Sequence, residues 1–324
     1  MKQLILSIFT LFIIISVKGQ DPEFTQFYAN PLYLAPSVAG ATEQDRLTAG
    51  YRNQWPDIPG AAFVTYAFSY DHYFENFNSG VGLLMLRDVA GTGDLSLTNV
   101  GIQYSYDIQV NNKLHLRPGI HFNYTQTGID YAKLTWNNQL SGGAGIEQAG
   151  EDFKADVDFG SSLLAYMDRY WLGFSVDHLL RPNYGLYNNT NARWPIKYQV
   201  FGGAQVMKKG HLLNPIDESL SIAFLVRHQW VYTQLDLGVY WFKSPMMFGI
   251  WYRGVPIFGE DPKGDALSFL VGYKNNQLRV GYSYDFTISN LVSSTAGAHE
   301  ISITYEFKSV RKKQKHRMLP CPEF

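Results

Sequence analysis

The chain has 324 residues, a formal net charge of −1 and a single cysteine, Cys321. So even a balance excludes a broad basic surface for nucleic acid, and one cysteine excludes an internal disulfide framework. Aromatic residues reach 15 % while charged ones stop at 17 %, a ratio that favours a chain with much of its surface in an apolar medium.

Lys2 opens the chain, and an apolar core follows from Leu4 to Val17, broken only by Ser7, Thr10 and Ser16 and closed by the small residue Gly19. This is the pattern of a secretory signal peptide over residues 1–19. The core is shorter than the roughly 20 residues that cross a bilayer, so an N-terminal anchor is disfavoured. No cysteine stands near the cleavage point to accept a lipid.

Residues 20–46 contain DPEFTQFYANPLYLAPSVAGA, whose apolar positions follow neither a helical nor a strand period. Pro22, Pro31 and Pro36 lack the N–H groups a sheet ladder needs. Phe24, Phe27, Tyr28, Leu32 and Tyr33 need shelter, and such a composition is foreign to a disordered tail. A plug or lumen-lining segment that starts in the periplasm satisfies these facts, provided the rest of the chain forms a hollow body.

Residues 47–308 supply one. In QLRVGYSYDFTI, Leu278, Val280, Tyr282, Tyr284 and Phe286 alternate with Arg279, Gly281, Ser283, Asp285 and Thr287. The same alternation runs through VGIQYSYDIQV, KLHLRPGIHFNYT and the final segment around Ile301, Ile303, Tyr305 and Phe307. A soluble sandwich alternates too. Length decides, because many runs reach the nine to eleven residues a membrane strand needs, beyond the usual five or six of soluble strands. About fourteen runs begin near residues 47, 62, 80, 95, 113, 154, 169, 196, 219, 232, 246, 266, 277 and 298. The expected fold is all-β, a transmembrane antiparallel β-barrel of about fourteen strands with an N-terminal lumen segment. No second apolar run approaches the length of a spanning helix.

The links sort by length. Asn111-Asn112, Asp168-Arg169, Lys243-Ser244-Pro245 and Asn275-Asn276 are short turns, whereas 53–61, 87–94, 131–152, 181–195, 254–265 and 288–297 are longer. The tight link near Val231 is an exception. Short turns at one end and long loops at the other predict an outer-membrane barrel with both termini in the periplasm. Tyr170 with Trp171, Trp230 with Tyr232 and Tyr240 with Trp241 stand at strand ends, as interfacial girdles do.

No catalytic, cofactor or metal constellation is expected. His115, Arg117 and His121 share one strand face, but six residues spread the two imidazoles roughly 20 Å apart. Asp156 and Asp158 also share a face and suit a solvated lumen better than a cation. No neighbourhood has the form of a nucleophile elbow, and GTGD and SGGAG lack the strand-to-helix setting of a phosphate loop. The tail is more informative. KSVRKKQKHR, residues 308–317, holds six Lys or Arg, one His and no acid, and it is followed by MLPCPEF. Cations including Arg311, Lys312, Lys313, Lys315 and Arg317, with the apolar anchor Phe324, suit a docking peptide (residues 309–324) for an acidic partner.

Phe24-Thr25-Gln26-Phe27, Asn30-Pro31-Leu32 and Ala39-Gly40, followed by Tyr51-Arg52-Asn53-Gln54-Trp55 and closed by Leu319-Pro320-Cys321-Pro322, make a recognisable set. Together they resemble the PorP/SprF family of type IX secretion outer-membrane proteins. Ala35, Ser37 and Val38 depart from that family's usual residues. The resemblance implies a non-enzymatic barrel in outer-membrane lipid that supports export or surface anchoring of a large secreted adhesin, gliding adhesins included. It also implies periplasmic and lipoprotein components of the secretion machinery as partners. The alternatives are a transporter for hydrophobic solutes or a porin; a transporter needs an apolar path, whereas the inward positions carry Arg, His, Asp, Glu and Asn.

Overall fold

In the computed structural model, the described residues are 21–42, 44–58, 62–135, 139, 150–186, 192–211, 214–255, 266–288 and 296–307. The signal peptide and the tail with Arg311, Lys312, Lys313, Lys315, Arg317, Cys321 and Phe324 lie outside them.

The strands are β1 (Arg46–Gln54), β2 (Ala62–Phe74), β3 (Ser79–Gly91), β4 (Leu95–Tyr106), β5 (Ile108–Gln109), β6 (His115–Gly128), β7 (Phe153–Tyr166) and β8 (Tyr170–Asp177). They continue with β9 (Lys197–His211), β10 (Asn214–Gln229), β11 (Tyr232–Lys243), β12 (Met246–Val255), β13 (Ala266–Asn275), β14 (Leu278–Thr287) and β15 (Ala298–Glu306). Each pairs antiparallel with its neighbours, β1 closes on β15, and β4 pairs with β6. The two-residue β5 resumes the line of β4 beyond Asp107, so the sheet is a closed barrel of fourteen strands plus this extra piece. Closure leaves no sheet edge to satisfy, which is what permits strands to sit in hydrocarbon.

The alternation is inside out relative to a soluble domain. Along β14, Arg279, Gly281, Ser283 and Asp285 are buried while Leu278, Tyr282 and Phe286 are exposed. Apolar side chains thus face outward and polar ones line the interior. Two of the expected girdle residues are corrected by the same rule. Trp171 and Tyr240 face the lumen and are buried, whereas their neighbours Tyr170 and Trp241 face outward, because successive strand residues point to opposite faces. Trp230 and Tyr232 are exposed, as girdle residues are.

Residues 21–42 occupy the lumen. Only single turns form there, at Phe27–Ala29, Pro31–Leu34 and Pro36–Val38. Pro31 and Pro36 each stand first in such a turn, where a missing N–H costs nothing. Asp21 lies among His178, Trp194, Lys197 and Gln229, at the mouth ringed by the longer links. The segment then descends, and the Asp45 carbonyl accepts from the Phe307 N–H at the opposite mouth. Residues 21 and 307 therefore stand at opposite mouths, because the chain crosses the lumen before β1 begins. The termini themselves, expected together in the periplasm, lie outside the described residues.

Candidate functional site

Four sets of contacts hold the segment. At the long-link mouth, the Asp21 carboxylate accepts from Trp194 Nε1 (2.6 Å), Lys197 Nζ (2.6 Å), His178 Nε2 (2.9 Å) and Gln229 Nε2 (3.2 Å). His178 has a left-handed backbone, φ 61°, which histidine adopts at a cost. That conformation stands its ring between Asp21 and Asp158, whose carboxylate is 2.6 Å from Nδ1. Burial opposes ionisation of Asp21, but His178 and Lys197 outweigh it and hold the carboxyl well below its ordinary range. Burial likewise disfavours a charged His178, yet Asp21 and Asp158 raise its pKa to about 9.

One step down, Arg52 on β1 donates to Asp285 (2.8 Å) and Glu300 (3.2 Å), and Arg253 on β12 donates to Asp285 (2.9 Å). Thr25 closes the group: its hydroxyl donates to Asp285 (2.7 Å) and accepts from Arg52 (2.8 Å), while the Thr25 and Gln26 N–H groups donate to Glu300 at 2.8 and 3.0 Å. These charges are buried, so each depends on its partners. The Gln26 amide also donates to Ser283 and accepts from Ser302.

Below this layer the segment presents aromatic rings to one side of the wall. Phe27 meets Trp251 edge-on at 5.1 Å, and Tyr28 meets Tyr240 at 4.7 Å. With Leu164, Trp171, Phe201, Leu225, Met247 and Leu270 they form one buried apolar cluster. Fully burying such a side chain is worth about 1.5–3 kcal/mol. Phe24 packs with Ala67, Leu86 and Tyr33, and Leu32 with Ala39 and Leu84. The Tyr33 hydroxyl donates to the Pro22 carbonyl, and Lys197 Nζ lies 5.1 Å from the Tyr33 ring centre.

On the other side and near the short-turn mouth, wall groups bond the segment's backbone. Gln103 donates to the Leu32 carbonyl (2.7 Å), Ser105 and Arg117 to the Ala39 carbonyl (2.8 and 2.5 Å), and the Ser37 N–H donates to Ser162 (2.8 Å). Asp71 accepts from the Gly40 N–H (2.6 Å) and from Arg46 (2.8 Å).

Of the residues singled out in the sequence, Phe24, Phe27, Tyr28, Leu32 and Tyr33 all lie inside the barrel. His115 and Arg117 meet around Asp107, with His115 stacked on Tyr166 at 5.0 Å, whereas His121 lies further along, 4.0 Å from Asp177. Asp156 accepts from the Asn183 N–H and Asp158 holds His178, so the two carboxylates tie down different residues of the same β8–β9 link. The grips on Asp21 and Thr25 were not foreseen. The available signal was a charged residue beside small polar residues on an inward face, as at Arg52, Asp285 and Glu300.

Comparison with known proteins agrees with this architecture. The toluene transporter TbuX of Ralstonia pickettii superposes with a TM-score of 0.53 at 10 % identity, over 85 % of this chain and 92 % of that one. The monoaromatic hydrocarbon channel CymD gives a TM-score of 0.50 at 11 % identity, over 87 % and 94 % of the two chains. At these identities the likeness is one of fold. No curated protein matches the chain in sequence. The family described as type IX secretion system membrane protein PorP/SprF matches residues 16–305, which includes the lumenal segment and nearly all of the barrel. With that match over most of its length, the chain belongs to the PorP/SprF family of type IX secretion system membrane proteins.

Proposed function

We propose that the protein is a non-enzymatic outer-membrane component of type IX secretion that supports the export or surface anchoring of a large adhesin, gliding adhesins included. The observation that carries this reading is the filled lumen. A segment bonded to the wall from one mouth to the other suits a scaffold better than an open conduit, and it leaves the mouths, the loops and the tail as working surfaces. The PorP/SprF match supplies the secretion context. Residues 20–46 act as the plug. The short-turn mouth faces the periplasm and the long-link mouth faces outward, so the basic tail beyond Phe307 reaches periplasmic or lipoprotein components of the machinery.

Deleting the gene and scoring adhesins on intact cells by surface proteolysis and mass spectrometry tests this. Loss of one large adhesin from the surface, restored by the wild-type gene, is the expected result. Unchanged adhesin display together with loss of uptake of an apolar solute overturns it in favour of a transporter.

A further inference from the structure

Residues Asp21, Pro22 and Glu23 form a strap across the long-link mouth that differs from the segment beneath it. They are only partly buried, whereas Phe24 and most residues after it are buried. The strap is tied mainly by its two carboxylates, Asp21 as described above and Glu23 to Arg253 (3.0 Å) and Arg227 (3.2 Å), with two backbone bonds beside them, from the Asp21 N–H to Gln229 and from the Tyr33 hydroxyl to the Pro22 carbonyl. Each gripping cation also holds a carboxylate of the barrel itself: Lys197 with Asp177 (3.2 Å), His178 with Asp158 (2.6 Å), Arg227 with Asp236 and Arg253 with Asp285 (2.9 Å). Withdrawing the strap therefore strands no buried cation, and the usual penalty for breaking a buried ion pair is largely avoided.

Beside the strap is a recess lined by Tyr33, Lys197, Gln199, Arg227, Gln229 and Gln234. The buried Arg227 Nε–H has no hydrogen-bond partner among the described residues. We propose that this recess and the cations around it are a binding site for an extended acidic peptide with two carboxylates two residues apart, and that the Asp21–Glu23 strap is the resident this peptide displaces. In an extended peptide, side chains at i and i+2 lie on one face about 7 Å apart, and the strap's own Asp-x-Glu spacing shows the pattern the wall receives. Lys197, Trp194 and Arg227 are donors without acceptors, so amide isosteres present N–H groups that find no partner. This site is independent of the export reading, because it concerns what the mouth binds.

The test is fluorescence anisotropy with a labelled hexapeptide carrying Asp and Glu two residues apart, and with its Asn/Gln counterpart. Both are titrated into detergent-purified full-length protein and into Asp21→Ala/Glu23→Ala, with heat-modifiable migration as the check on folding. The double variant should bind the acidic peptide at least tenfold more tightly than the parent and at least tenfold more tightly than the amide peptide. Adding Lys197→Met and Arg227→Met should remove that gain. Equal binding of the two peptides, or none, by a folded double variant overturns the proposal. Should the variant not fold, the unaltered protein decides: the acidic peptide, and not the amide one, should speed cleavage near residue 23 by a non-specific protease, and unchanged cleavage overturns the site.

Discussion

The carbonyl oxygen of Ala39 lies 2.0 Å from where a Cβ on Gly80 would stand, so the segment's backbone rests directly on β3 at the short-turn mouth. Gly119 makes a comparable seat for Ser37, with 2.3 Å to its nitrogen. Gly80→Val should unseat the lower segment while leaving the outward face of the barrel untouched. Overpacking of this kind costs about 1–3 kcal/mol. Raised conductance in planar bilayers and new protease cuts between residues 30 and 45 are expected; parental conductance would show that the segment does not close the lumen.

Arg52→Gln should be among the most damaging single changes. It leaves Asp285 and Glu300 buried with fewer donors, and breaking such a group typically costs about 3–5 kcal/mol. The temperature at which the unboiled form converts to the boiled migration should fall. Glu300→Gln in the same chain should restore part of the loss, and the resulting cycle measures the coupling.

Trp251 on β12 pairs with Gly238 on β11 and lies over it inside the barrel, its indole 2.1 Å from where a Gly238 Cβ would lie. Gly238→Ala should push the indole off Phe27 and Tyr240, and Trp251→Ala should cost about 3–5 kcal/mol through the void it leaves. Denaturant titrations of both variants should show lower midpoints, with Trp251→Ala the lower.

The strap should loosen in alkali. His178 faces Asp21, Asp158, Lys197 and His121, and its pKa is raised from 6.5 to about 9. A raised pKa means that its contribution is complete below about 6.5 and is lost as pH rises through about 9. Asp21 has the opposite sense: its contribution is present above the ordinary carboxylate range and fades only in strong acid. Proteolysis near residue 23 should therefore speed up between pH 7 and pH 10, and His178→Gln should flatten that dependence. A parent profile as flat as the variant's would remove His178 from the grip.

Removing residues 311–324 should spare assembly, because β15 ends at Glu306. Under the docking role proposed for the tail, adhesin display is lost and the periplasmic partner no longer co-purifies. In the full-length protein, replacing the basic residues by Gln weakens the complex in a salt-dependent way, since exposed charges are screened over about 8 Å at physiological salt. Phe324→Ala weakens it at every salt concentration. Normal display by the truncated protein refutes the docking role.

The strands were legible because their cause is local. A period of two, as at Leu278 to Phe286, follows from the backbone itself, and all fourteen runs became strands at or near the expected starts. The oddness of residues 21–41 was legible for a similar reason, since prolines and aromatics limit what a segment can do wherever it lies. Everything that joins distant parts was decided by closure and register. Thr25 meets Asp285 across 260 residues and Asp21 meets Gln229 across 208, and neither pairing has a sequence signature. Alternation alone puts one of Trp171 and Tyr170 inside, but the register of β8 against β7 and β9 selects Trp171. The direction of the segment through the lumen came last, set by where its carboxylates find cations. Those cations converge at the mouth only once β9, β10 and β12 stand side by side around the barrel with β11 between them.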